Sequence, residues 1–215
     1  MKTWLGGKLK RGRLIGIALV VLIVLTTLGW YYLRPSVPEP KPPEVITYSI
    51  DTPDETRPGS DYKWRGGPDD PKYIKLPSIQ AEGFIQNVGI DQKREVAVPN
   101  NVHMAGWFVD STRPGQQGLS IIDGHVDGRQ NDGIFKQISE LKESDEYTVE
   151  TGSGNLKRYQ VNQVVTIDVK DAADVLFSQD PKVKSQLNLI TCGGNFDQQS
   201  RRYDKRVIVV SELIH

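Results

Sequence analysis

Hydrophobic and polar positions divide this chain into three stretches. Residues 14–33 are apolar almost without interruption (LIGIALVVLIVLTTLGWYYL), whereas residues 34–71 are polar and poor in aliphatic side chains. From residue 72 onward the apolar positions come in short runs broken by glycine, proline and acidic residues. Runs at 73–76, 79–85, 88–90, 95–98, 119–122, 147–150, 157–167, 187–191 and 207–213 are too short for buried helices and rich in Val, Ile, Tyr and Phe, so they predict strands. Within one of them, Leu187, Asn188, Leu189 and Ile190 suggest a half-buried strand of period two. Only 133–141, with Ile134, Ile138 and Leu141, and 172–177 suggest short helices. No repeat or heptad is present. Many short strands separated by turn residues predict a mainly β domain that closes, or nearly closes, into a barrel with one or two short helices.

The twenty residues 14–33 would span about 30 Å as a helix, the thickness of a bilayer's hydrocarbon core. Lys2, Lys8, Lys10, Arg11 and Arg13 precede this run and only Arg34 closes it, which places the N-terminus on the cytoplasmic side and the rest outside. Trp30, Tyr31 and Tyr32 sit where interfacial aromatic anchors belong. The competing reading, a cleaved signal peptide, fits less well, because the apolar run is long and bulky residues follow it where small ones would mark cleavage. The expected organisation is a cytoplasmic basic tail (1–13), a single transmembrane helix (14–33), an extracytoplasmic linker (34–71) and a catalytic domain (72–215). Nine of the thirteen prolines fall between Pro35 and Pro71, which suits a semi-rigid stalk, although Tyr62, Lys63 and Trp64 offer a docking surface within it.

Composition removes some classes of function. Twenty-seven basic and twenty-seven acidic residues leave no net charge, so nothing favours nucleic acid as a partner. The single cysteine, Cys192, excludes an intramolecular disulfide and leaves either a buried thiol or a reactive one. A lone Cys with a lone neighbouring His lacks the ligand count of a zinc site, so no metal or cofactor is expected.

Three groups of residues carry candidate chemistry. Cys192 ends a strand and is followed at once by Gly193 and Gly194, where the backbone opens to an approaching substrate. His125 follows the strand-like Ile121-Ile122-Asp123-Gly124. Arg206 stands at the mouth of the last strand, with Arg201 and Arg202 as competing arginines close by. A thiol of ordinary pKa, about 8.5, is mostly protonated at neutral pH, and a neighbouring cation favours the thiolate. A histidine can return a proton to a leaving amine, and an arginine can stabilise charge on a reacting carbonyl. Cys, His and Arg together therefore suffice for acyl transfer through a thioester. Thr191 either orients the thiol or fills a strand position. Asp123 and Asp127, beside turn glycines, are structural or orienting residues rather than a general acid pair.

These motifs resemble the sortases, membrane-anchored cysteine transpeptidases. Leu189-Ile190-Thr191-Cys192 is similar to the family's T-L-x-T-C signature, Gly124-His125 to its catalytic histidine, and Lys205-Arg206 before an alternating strand to its catalytic arginine. The phrasing Ile122-Asp123-Gly124-His125-Val126-Asp127 and Cys192-Gly193-Gly194-Asn195-Phe196-Asp197 most resembles class F. The resemblance covers the anchor, the linker and residues 72–215. It implies an eight-stranded barrel and a monomer acting on a Leu-Pro-x-Thr-Gly-like sorting motif of client proteins. Cys192 would attack, His125 would move the proton and Arg206 would hold the oxyanion, before a cell-wall amine, or alternatively water, resolves the thioester. Thr191, Gly193 and Asp123 would support the site. Two other readings are an L,D-transpeptidase, whose expected Ser-x-Gly-Cys context Thr191-Cys192 does not match, and an inactive binding module. His103 is expected to be a satisfied loop residue, His215 to play no part, and Trp107 and Phe108 to pack.

Overall fold

The computed structural model describes residues 22, 24–27, 52–91 and 94–214. The chain divides into two compact units, Met1–Glu44 and Val45–His215. In the first, Leu22 and residues 24–27 are helical, and Thr27 Oγ1 donates back to the Val24 carbonyl at 3.0 Å. No helix among the described residues is long and apolar enough to cross a membrane. The expected basic tail and most of the expected anchor lie outside the described residues.

In the second unit, alternating residues close a barrel of eight strands. These are β1 (Pro71–Leu76), β2 (Ala81–Val88), β3 (Ala105–Phe108), β4 (Gly118–Gly124), β5 (Glu146–Thr151), β6 (Leu156–Asp168), β7 (Ser185–Asp197) and β8 (Arg202–Leu213). Around the barrel the order is β1-β2-β3-β4-β7-β8-β6-β5, with parallel pairs at β2–β3 and β4–β7. Ile74, Leu76, Ile85, Ile122, Tyr147, Val149, Tyr159, Leu187, Leu189, Val207 and Val209 fill the interior. At roughly 1.5–3 kcal/mol for each large apolar side chain fully buried, this interior is the main source of stability.

A second apolar layer lies on the outer face of β4, β7 and β8. Ile121 and Ile208 pack there with Phe108 and with Ala172 and Leu176 of the short helix Ala172–Leu176, and Ile190, Ile167 and Val210 join them. These strands are therefore covered on both faces, which explains why Ile121-Ile122 and Val207–Val210 run apolar without alternation. The same layer corrects the half-buried reading of 187–190. Asn188 is fully buried, and its amide donates to the Leu176 carbonyl at 2.8 Å, tying β7 to the helix above it.

Three other expectations change. The helix expected at 133–141 is a run of turns with one 3-10 turn, Ile138–Glu140. The strand expected at 95–98 is reduced to a single bridge between Ile90 and Val96. The described part of the expected linker, 52–70, lies along the barrel. Trp64 Nε1 donates to the Ile85 carbonyl at 2.9 Å, Tyr62 packs on Phe84 at 4.7 Å between ring centres, and Arg113 pairs with Asp70 at 2.8 Å. Two of these contacts are made by Tyr62 and Trp64, from the docking surface that the sequence offers within the stalk.

Candidate active site

Cys192 and Arg206 are brought together by strand register. In the antiparallel β7–β8 ladder, Cys192 is directly opposite Arg206, as Thr191 is opposite Val207 and Ile190 opposite Ile208. Opposed residues project from the same face. Val207 and Leu189 point into the barrel, so Cys192 and Arg206 stand on its outer face, beyond the end of the second apolar layer. The guanidinium is held locally, its Nη1 donating to the carbonyls of Lys205 at 3.0 Å and Tyr203 at 3.4 Å. The competing arginines lie elsewhere: Arg202 is opposite Asp197, and Arg201 occupies the hairpin turn with φ of 53°, both exposed to solvent.

His125 arrives from the other side of β7. The parallel β4–β7 ladder pairs Ile122 with Leu189 and Asp123 with Ile190. The strand ends at Gly124, and continued past that end the register directs His125 toward Cys192. Thr191 fixes it: its hydroxyl donates to the Gly124 carbonyl at 2.6 Å, joining the residue before Cys192 to the residue before His125. The imidazole is anchored by its Nε2, 2.7 Å from the Pro99 carbonyl. A carbonyl can only accept, so Nε2 carries the proton and Nδ1 is the ring nitrogen left for chemistry.

The loop behind the histidine is tied to the N-terminal segment. Glu55 accepts hydrogen bonds from the backbone N–H groups of Arg129, Gln130 and Asn131, at 2.6 to 3.0 Å, and from the Asn131 amide at 3.0 Å. The same segment bonds the loop that presents Pro99: Asp54 N–H donates to the Asn100 carbonyl at 2.7 Å, and the Asn101 amide donates to the Thr56 carbonyl at 2.8 Å. Residues 54–56 therefore brace both loops that position His125. His103 belongs to this bracing, its Nε2 lying 3.1 Å from the Glu55 carbonyl, and not to the site. His215 lies outside the described residues. Trp107 packs in the barrel interior and Phe108 in the outer layer.

Electrostatics sharpen the picture. Burial pushes the Cys192 thiol up; Arg206 draws it down, while Asp123, Asp127 and Glu95 push it up further. Burial holds His125 below the usual imidazole value, against the opposing influence of the Pro99 carbonyl and Asp127. The resting site therefore favours a thiol beside a neutral imidazole. Asp123, on the outer face opposite Ile190, is buried and has a carboxylate oxygen without a hydrogen-bond partner. Burial raises its pKa well above the carboxylate range, and Arg206 opposes that rise.

The strand expected to end at Cys192 continues: β7 runs on to Asp197 with a register shift after Gly193, and Arg206 lies inside β8 rather than at its mouth. At Gly194 φ is +78°, and a Cβ would lie 2.1 Å from Asp204 Oδ1, so only glycine fits this bulge. Asp204 there accepts the Asn195 N–H at 2.7 Å. Among the described residues no group of three or more His, Cys, Asp or Glu could hold a metal ion. The carbonyl of Pro99 and the Glu55 brace were not recognisable in the sequence, because both are long-range contacts. Asp127 and Tyr203 were visible beside the motifs, but their pairing was not.

The family model described as the Sortase domain matches residues 74–214. Similar solved structures include sortase A from Corynebacterium diphtheriae, at 23% identity with a TM-score of 0.53, covering 70% of this chain and 63% of that one. A Clostridium perfringens sortase D5 transpeptidase is 26% identical, with a TM-score of 0.51, covering 68% and 80%. Sortase C-1 from Actinomyces oris is 22% identical, with a TM-score of 0.52, covering 68% and 74%. The chain thus spans less than two thirds of the diphtherial enzyme. No curated protein matches it.

Proposed function

The chain belongs to the sortase family, and from that premise we propose that it is a cysteine transpeptidase acting on a Leu-Pro-x-Thr-Gly-like motif of client proteins. The observation that carries this reading is the convergence of Cys192, Arg206 and His125 by two strand registers on one outer face. The wording of the motifs around His125 and Cys192 supports the class F type.

In the proposed reaction the Cys192 Sγ, as thiolate, bonds to the threonine carbonyl carbon. Arg206 donates to the oxygen as negative charge builds there. His125, protonated at Nδ1, gives that proton to the departing glycine nitrogen as the C–N bond breaks, leaving a thioester and a neutral imidazole. An incoming amine of the cell wall attacks the thioester, loses a proton to His125 and releases the thiolate, so the client carries a new amide. The buried site favours the uncharged pair, so the ionised pair is a minority species that bound substrate and Arg206 must stabilise. Thr191 holds the two halves in register, Gly193 leaves the backbone open beside the nucleophile, and Asp123 forms part of the floor near Arg206. Residues 14–33 anchor the chain in the membrane as a single pass, with the basic tail cytoplasmic and the catalytic domain outside, acting as a monomer.

The test is turnover of a quenched sorting-motif peptide by the full chain, with and without an acceptor amine, beside Cys192→Ala. A covalent acyl-enzyme trapped on Cys192 and amide product with added amine are expected. Activity that survives in Cys192→Ala would remove the nucleophile assignment, and product formed only by water would make the chain a peptidase.

A further inference from the structure

Between the histidine loop and the arginine strand runs one side-chain bond that the reaction above does not use. The Tyr203 hydroxyl donates to Asp127 Oδ2. Asp127 lies two residues after His125, and Tyr203 three residues before Arg206. Because β7 lies between β4 and β8, this bond joins the chain on either side of the cysteine-bearing strand.

Both partners are themselves held. Tyr203 packs against Phe196 at 5.1 Å between ring centres, and its carbonyl accepts the Arg206 guanidinium at 3.4 Å. Asp127 bridges to Asp132 across its loop. Tyr203 therefore touches Arg206 through its backbone and the histidine loop through its phenol. We propose that Tyr203 and Asp127 are a positioning pair, which sets the separation between the loop bearing His125 and the strand bearing Arg206 across Cys192. This inference rests on the transpeptidase reading for its kinetic consequences, though not for its electrostatic ones.

The pair also governs how strongly the Asp127 charge is felt. Cys192 faces Arg206 on β8, Asp123 on β4, Asp127 on the following loop and Glu95 on the β2–β3 loop; of these only Arg206 favours the thiolate. The same Asp127 favours the charged form of His125. A phenolic donor on its carboxylate spreads that charge, so Asp127 acts more weakly on both the thiolate and the imidazole than a bare carboxylate would.

Full chains carrying Tyr203→Phe, Asp127→Asn and both substitutions test the proposal by two readouts. In peptide turnover, each single change should lower kcat about tenfold, as loss of a hydrogen bond to a charged group does, with KM within about twofold, and the double variant should be no worse than the worse single. In alkylation of Cys192 by iodoacetamide at pH 7, which needs no peptide, Tyr203→Phe should react more slowly than wild type and Asp127→Asn faster. A merely structural contact would not move alkylation in opposite directions. Unchanged kcat in both singles, additive losses in the double, or alkylation shifts of one sign would overturn the pair. Tyr203→Phe removes one oxygen and keeps the ring stack on Phe196, so it carries the test if Asp127→Asn does not fold. If the wild type turns over no peptide, the transpeptidase reading falls, and the alkylation pattern alone then decides the pair.

Discussion

The two partners of Cys192 are positioned by different means. Arg206 is placed by the β7–β8 ladder, a local hairpin in which every pair from Gln186↔Glu212 to Gly193↔Lys205 fixes the next. His125 lies just past the end of a strand, and loops hold its ring: the Pro99 carbonyl on one side and, behind it, the Glu55 brace. One half of the site is as rigid as the barrel. The other depends on a segment that contributes no strand to it. Damage to the barrel should therefore disturb both halves, whereas damage to the brace should disturb only the histidine.

The largest effect should come from the ladder half. Arg206→Lys keeps the charge and the register but removes the planar fork, and should lower kcat about 10²-fold or more in peptide turnover. Arg202→Ala, opposite Asp197, should stay within about twofold. Equal losses in the two variants would mean that register does not select the arginine.

Glu55→Ala should come next and separate the halves most cleanly. Freeing the N–H groups of 129–131 lets the histidine loop shift, and kcat should fall about tenfold, because a displacement of about 1 Å at a reacting group can cost more than that. Alkylation of Cys192, governed mainly by burial and Arg206, should keep its wild-type rate. A matching fall in alkylation would collapse the distinction between the halves.

Thr191→Val strikes the backbone tie between them. It leaves the Gly124 carbonyl without its hydroxyl donor at a buried position, and should cost about 1–3 kcal/mol in denaturant unfolding. A loss of activity with no loss of stability would instead show that Thr191 acts on the thiol directly.

The smallest effect concerns Asp123. Its folded pKa is raised, so the folded state holds a proton that the unfolded state releases, and the wild type loses stability as pH rises from the ordinary carboxylate value through the raised one. Asp123→Asn removes that ionisation. Its Tm should exceed wild type at pH 7, and the advantage should vanish near pH 4. An advantage independent of pH would point to packing rather than charge.

What could be read from the chain divides differently. The cysteine and the histidine stand out by their motifs, whereas the arginine was one of three close neighbours that only the β7–β8 register tells apart, and the closed barrel was foreseeable from its short apolar runs. The brace was not, since Glu55 meets residues 129–131 through backbone N–H groups that any sequence possesses. Asn188 was misassigned to a wet face because nothing local shows that a helix covers the outside of β7. β3, Ala105–Phe108, was missed because four residues containing a glycine give too short a pattern.

The parallel β4–β7 ladder has a consequence for how the molecule forms. The hydrogen bond from Thr191 to Gly124 spans 67 residues of chain, whereas the β7–β8 hairpin closes locally. Closing so long a loop costs entropy before any contact repays it, so pairings of this kind are slow. The thiol and the guanidinium can therefore meet early in folding, while the imidazole joins them only when the barrel closes. Until then the cysteine is a thiol without its proton partner, and catalytic competence marks the final step of folding rather than its first.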